Sequence, residues 1–132
     1  MTKGKVRGII ANLLTIEVDG PVSQNEICFV VANDGKLMGE VIKVNGNVAY
    51  TQVFESTRGL KIDDEVEFTG HMLEIELGPG LLSNVYDGLL NDLYAKQGVF
   101  LKRGEYTPSL NAEKKYDFTP IAKEGDFVYA GD

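Results

Sequence analysis

Asn45-Gly46-Asn47 lies between two β-rich stretches, Leu37 to Val44 and Val48 to Glu55. Asn-Gly in such a setting is the strongest short-range hairpin signal, because the type I′ turn expected there needs positive φ at both central residues. The expected turn is two residues, Asn45-Gly46, with Gly46 at positive φ. That single feature commits the region to antiparallel sheet, and its surroundings agree. Ile9 to Val18 is apolar-rich and ends at the turn signal Asp19-Gly20-Pro21, and Glu26 to Ala32 closes at Asn33-Asp34-Gly35. Glu65-Val66-Glu67-Phe68 and Leu73-Glu74-Ile75-Glu76-Leu77 alternate apolar with acidic residues. Period-two alternation puts the apolar side chains on one face and the carboxylates in water. Short strands at this spacing imply a sandwich or a barrel, and a closed barrel removes exposed edges. The expected fold is mainly β: a small closed N-terminal β-barrel over residues 1–72, followed by a short helix and an incomplete β insertion domain.

Beyond the barrel the period changes. Leu81, Val85, Leu89 and Leu93 are four apart, with Leu82, Tyr86 and Leu90 alongside. This is a helical face. Gly88 within it costs about 1 kcal/mol relative to Ala, so a short or broken helix is expected in a linker over residues 73–98. Short β-like pieces return at Val99-Phe100-Leu101, Lys115 to Thr119 and Phe127-Val128-Tyr129. The last lies between Gly125-Asp126 and Gly131-Asp132, a turn signal with no strand after it. Residues 99–132 therefore read as the truncated start of a further domain.

Composition narrows the function classes. The chain has 132 residues, 43% of them hydrophobic, which suffices for one packed core. Its net charge of −7 and the lack of a basic stripe argue against duplex binding, since Asp117 sits close to the basic pair Lys114-Lys115. The N-terminal Met-Thr-Lys-Gly-Lys has no apolar region of a secretory signal. No apolar run approaches the roughly 20 residues of a membrane span. A cytosolic compartment is expected.

The candidate chemical residues each have a plain structural reading. Cys28, the single cysteine, sits in the apolar run Ile27-Cys28-Phe29-Val30-Val31 and reads as a core thiol. As a nucleophile it would need a base, and His71 is the only histidine. His71 in Thr69-Gly70-His71-Met72 reads as a loop residue. Asp63-Asp64-Glu65, Glu67, Glu74 and Glu76 form the densest acidic region, which could hold a hard cation but reads as a solvated barrel face. Gly78-Pro79-Gly80-Leu81-Leu82-Ser83 nearly matches the dinucleotide pattern G-x-G-x-x-G. Ser83 replaces the third glycine and Pro79 removes an amide donor, so a rigid turn is expected. The phosphate-loop pattern G-x-x-x-x-G-K-[ST] is absent: Gly4-Lys5 and Gly35-Lys36 are followed by Val6 and Leu37. No catalytic, cofactor-binding or metal-ligating residue is expected.

Several motifs, in order, resemble the N-terminal part of the catalytic A subunit of V-type and archaeal-type rotary ATPases. They are Gly20-Pro21-Val22, Met38-Gly39-Glu40-Val41-Ile42 and Gln52-Val53-Phe54-Glu55-Ser56-Thr57-Arg58-Gly59-Leu60. Glu76-Leu77-Gly78-Pro79-Gly80-Leu81-Leu82 follows, closed by Asp87-Gly88, and is the most specific. Phe100-Leu101-Lys102-Arg103-Gly104 and Tyr116-Asp117-Phe118-Thr119-Pro120 resemble the start of the insertion that marks the catalytic subunit. Two departures point to a divergent bacterial branch. Asp87-Gly88 is followed by Leu89-Leu90-Asn91-Asp92-Leu93 rather than the Gln-Arg-Pro-Leu pattern, and Tyr116 stands where Trp is usual.

The resemblance implies an N-terminal assembly region of a subunit that couples ATP synthesis or hydrolysis to proton or sodium transport. It implies non-catalytic B subunits in an alternating ring and other rotary ATPase subunits as partners, with no nucleic acid and no direct membrane insertion. The location implied is cytoplasmic, peripheral to the membrane. ATP and Mg belong to the full-length parent, at a phosphate loop beyond residue 132, so the chain itself is expected to be inactive. Two rival readings are a biotinyl- or lipoyl-like carrier module, suggested by the Gly125-Asp126 and Gly131-Asp132 turns, and an oligonucleotide-binding barrel. The first needs a lysine displayed on a tight hairpin. The second needs aromatics beside Lys or Arg.

Overall fold

The computed structural model describes residues 1–33, 35–94, 103–104, 106, 109–111 and 113–131. Six strands account for its regular sheet: β1 Lys3–Ile10, β2 Leu13–Val18, β3 Ile27–Ala32, β4 Gly35–Asn45, β5 Val48–Val53 and β6 Glu65–Phe68. They close into a barrel in the order β1-β2-β5-β4-β3-β6, with every neighbouring pair antiparallel. The alternation read in the sequence is what fills it. Leu14, Ile16 and Val18 of β2, Ala49, Thr51 and Val53 of β5, and Val66 and Phe68 of β6 all point inward and are buried.

Two bulges let so small a sheet close. The β1–β2 register slips at Arg7 and the β4–β5 register slips at Ile42. An extra residue on one strand bends it and increases its twist, as a tightly curved barrel requires. Each bulge also resets which side chains face inward. After Val41 the next residue packed on the core is Val44, and Ile42 is left exposed. Simple alternation would have buried Lys43 instead.

The apolar run from Ile9 is not one strand. Ile10 pairs with Leu13 across Ala11-Asn12, and Ala11 takes φ 55. The hairpin signal at Asn45-Gly46-Asn47 is borne out in place, with its register shifted by one. Asn45 pairs with Val48, so the two-residue loop is Gly46-Asn47, with Gly46 at φ 60 and Asn47 outside the positive-φ residues. Glycine at the first central position, with only that residue at positive φ, is the type II′ arrangement rather than the expected type I′. A Cβ on Gly46 would meet nothing within 4 Å, so the backbone conformation is the whole constraint. Gly46→Val should lower stability by about 2 kcal/mol, because a β-branched residue resists positive φ. An unchanged denaturant midpoint would contradict this turn geometry.

After β6 the regular structure largely ends. The only helical element among the described residues is a single 3-10 turn, Pro79–Leu81. The leucines spaced by four do not form a helix. Asp87 intervenes: its Oδ1 accepts hydrogen bonds from the Leu89 and Asn91 amides, each at 2.9 Å. A side chain that bonds its own following backbone offers an alternative to the helical ladder. The segment folds into a tight loop, with Leu90 at φ 61 and a bridge between Tyr86 and Asp92.

Leu73–Leu77, Lys115–Thr119 and Phe127–Tyr129, read above as strands, carry no regular secondary structure. A strand forms only against a partner edge, and the closed barrel offers none. Leu73, Ile75 and Leu77 accordingly stay 49%, 53% and 77% exposed. Val99-Phe100-Leu101 lies outside the described residues. No helix among those described is long and apolar enough to cross a membrane.

Candidate functional site

Cys28 is fully buried among Val30, Leu37, Val41 and Phe68 in the barrel core. Burial pushes its thiol up to about 12, with a contact from Thr51 opposing the rise and the Glu26 charge adding to it. Only the thiolate is a nucleophile, so Cys28 is inert near neutral pH. His71 sits in the exit from β6. Its backbone carbonyl accepts the Ile27 amide at 3.0 Å, while its half-exposed ring places Nδ1 2.9 Å from the Met72 carbonyl and 3.8 Å from Glu74. The two residues do not form a nucleophile–base pair.

The acidic region is distributed among separate partners. Asp63 pairs with Arg7, Glu65 with Lys3, and Glu67 with Lys36. Arg7 also bridges to Glu17 at 2.7 Å, and the Asp64 carboxylate accepts the Lys61 amide at 2.7 Å. The Lys36 hydrogen bond holds the Glu67 carboxyl below the usual carboxylate range. These pairs are solvent-exposed, where water screens them and their stabilising effect is small. Their arrangement is nonetheless informative, because each of these carboxylates is committed to a cation or an amide. No group of three or more metal-ligating side chains occurs among the described residues. Glu74 and Glu76 do not share a strand face, since no strand forms there.

Gly78-Pro79-Gly80 is a rigid turn, as its proline implies. The Leu81 amide bonds the Gly78 carbonyl at 3.1 Å, and Asn84 Nδ2 bonds the Gly80 carbonyl at 2.8 Å. A Cβ on Gly80 would lie 2.7 Å from the Tyr116 hydroxyl and 3.1 Å from Leu110 Cδ2. A later stretch of the chain, through Tyr116 and Leu110, packs directly on the turn here, so a side chain on Gly80 would have to displace those side-chain ends. The Tyr86 hydroxyl adds a bond to the Ser109 carbonyl at 3.3 Å.

Sequence reasoning passed over two positions. Glu26 is 5% exposed, and its carboxylate accepts the Ser23 and Gly70 amides, each at 2.8 Å. It ties the β2–β3 loop to the exit from β6. The signal was a charged residue opening an otherwise apolar strand. Tyr106 also packs on the barrel, with its ring edge-on to Phe29 at 6.1 Å.

The barrel's outer charges bear on the rival readings. The strand cations Lys3, Arg7 and Lys36 are each paired with carboxylates, which weakens their attraction for a polyanion. Lys114 lies 5.2 Å from the Tyr116 ring centre. The loop residues of the β1–β2 and β4–β5 hairpins, Ala11-Asn12 and Gly46-Asn47, include no lysine for a carrier module to use.

Comparison with known proteins agrees with this architecture. Residues 6–70 match the model of the ATP synthase alpha/beta family, β-barrel domain. The chain is 53% identical over 134 aligned residues to the V-type ATP synthase alpha chain of Borreliella afzelii, covering 99% of this chain and 23% of that protein. It is 52% identical to the protein of the same name from Borrelia duttonii, covering 98% and 23%, and 52% identical to that from Borreliella burgdorferi, covering 99% and 23%. The chain thus spans about a quarter of the length of these relatives. Residues 6–70 form a β-barrel domain of the ATP synthase alpha/beta family, and the chain belongs to that family, matching the N-terminal region of its V-type alpha chains.

Proposed function

We propose that this chain is the assembly region of the catalytic A subunit of a V-type ATP synthase that couples ATP synthesis or hydrolysis to proton or sodium transport. In this reading residues 1–72 are the barrel, 73–98 the linker and 99–132 the start of the catalytic-subunit insertion. The observation that carries it is identity above one-half across 99% of the chain to proteins named V-type ATP synthase alpha chain. The closed barrel supports an assembly role, because it presents a rigid side-chain surface with no free sheet edges. Its partners are non-catalytic B subunits alternating with it in a ring, together with other subunits of the rotary complex, on the cytoplasmic side of the membrane.

The chain contains no phosphate-loop pattern, so ATP and Mg belong to other parts of the subunit. The chain by itself neither binds nor hydrolyses ATP appreciably. Two measurements test the reading together. Titration calorimetry of the chain with Mg-ATP should show no micromolar site, which would correspond to about −8 kcal/mol. A Borreliella afzelii alpha chain carrying these residues in place of its matching region should assemble with B subunits and retain ATP hydrolysis. A folded chimera that fails to enter the ring would refute the assembly role. A micromolar ATP site would refute the inactive fragment.

A further inference from the structure

We propose that Arg103, Gly104 and Tyr106 form a latch that fastens the later part of the chain back onto the barrel, with Glu55 as its receptor. The β4–β5 ladder ends at Gly39 paired with Val53, and Met38 lies one residue beyond it. The Met38 amide donates to the Tyr106 hydroxyl at 2.8 Å, across 68 residues of sequence. The Glu55 carboxylate lies near the same hydroxyl, and its charge helps burial raise the phenol. Glu55 Oε2 accepts the Gly104 amide at 2.7 Å, so this carboxylate holds the incoming segment directly. Arg103 Nη1 donates to the Arg58 carbonyl, which fixes a third point on the loop after β5.

Shape agrees with these bonds. A Cβ on Gly35, at the start of β4, would lie 3.5 Å from the Gly104 Cα, so the two backbones run in close approach. The Tyr106 ring meets Phe29 of β3 edge-on, with an interplanar angle of 76°. Burial raises the Tyr106 hydroxyl to about 12, so it stays protonated throughout the neutral range. The latch makes the barrel and residues Arg103, Gly104 and Tyr106 one mechanical unit, joined through β3, β4 and the loop after β5. It does so independently of the intervening chain, and the inference stands on this geometry rather than on the proposed role of the subunit.

Amide hydrogen exchange on the 132-residue chain tests it. Met38 and Gly104 amides should be protected in the unaltered protein. Tyr106→Phe should speed exchange at Met38 by about fivefold to tenfold, the change that the net worth of one hydrogen bond corresponds to. Glu55→Ala should do the same at Gly104. The amides of Val41 and Thr51, inside the ladder, should not change in either variant. Exchange at Met38 or Gly104 as fast as in an unfolded chain would overturn the latch. So would Tyr106→Phe leaving Met38 unaffected, or accelerating Val41 and Thr51 equally, since the tyrosine would then serve the barrel itself.

Discussion

Phe68→Ala should remove about 4 kcal/mol of stability, the usual cost of truncating a fully buried phenylalanine. Among the described residues Phe68 is the largest side chain with no exposure, and it lies where β6 completes the barrel between β1 and β3. Truncation would leave a void in a core built from Val6, Leu14, Ile16, Val30, Val66 and their neighbours. The surrounding strands cannot collapse into it, because each is held by ladders on both sides. A domain's total stability is of order 5–15 kcal/mol, so the loss would shift the denaturant midpoint strongly or unfold the chain. Phe118→Ala is the control. Phe118 is 85% exposed, and its truncation should cost less than about 0.5 kcal/mol. Equal midpoints for the two variants would contradict the placement of the core.

Gly4→Ala should destabilise by about 3 kcal/mol, at the upper end of the range for overpacking. The sign is informative, because replacing Gly with Ala at a compatible site stabilises by about 0.4–1 kcal/mol through the unfolded chain. Gly4 is not compatible. Its Cβ would lie 2.7 Å from Ile16 Cγ2, 2.8 Å from the Glu17 carbonyl and 3.2 Å from Phe68 Cε2. The carbonyl decides the outcome, since it belongs to the β1–β2 ladder and cannot retreat without breaking the pairing of Gly4 with Val18. Adding Phe68→Leu should therefore fail to rescue Gly4→Ala. Rescue, or a neutral Gly4→Ala, would show that only a movable side chain stands in the way. Chemical denaturation of the single and double variants distinguishes these results.

Both predictions rest on residues whose roles were unequally visible beforehand. Phe68 was legible, because Glu65 to Phe68 alternates and the strand matches that run residue for residue. Gly4 was not. It reads as an unremarkable glycine near the N-terminus, and only the approach of β2 and Phe68 gives it a steric reason. The same distinction separates the hairpin from its register. Asn45-Gly46-Asn47 announced a turn, but which two residues form the loop depends on cross-strand pairing that local propensity does not encode.

The candidate site divides in the same way. That Cys28 is a core thiol, and that Gly78-Pro79-Gly80 is a rigid turn, followed from an apolar neighbourhood and from a proline without an amide. The dispersal of the acidic residues onto Lys3, Arg7, Lys36 and the Lys61 amide required the fold, because those partners come from different strands and loops. Tyr106 on Met38 and Glu55 was invisible for the same reason, as its contacts cross dozens of residues.

The amino-acid sequence by itself determined the class of fold and the family, since these reside in local alternation, turn residues and ordered motifs. Tertiary structure decided which alternating runs become strands. Glu65–Phe68 is a strand because β1 and β3 flank it, whereas Leu73–Leu77 has the same alternation and no edge to join. That the leucines from Leu81 to Leu93 do not form a helix was also settled outside their periodicity, by local bonds in which Asp87 captures the Leu89 and Asn91 amides. In each case the preference of the segment was weak, and the hydrogen-bond partners available in space settled it.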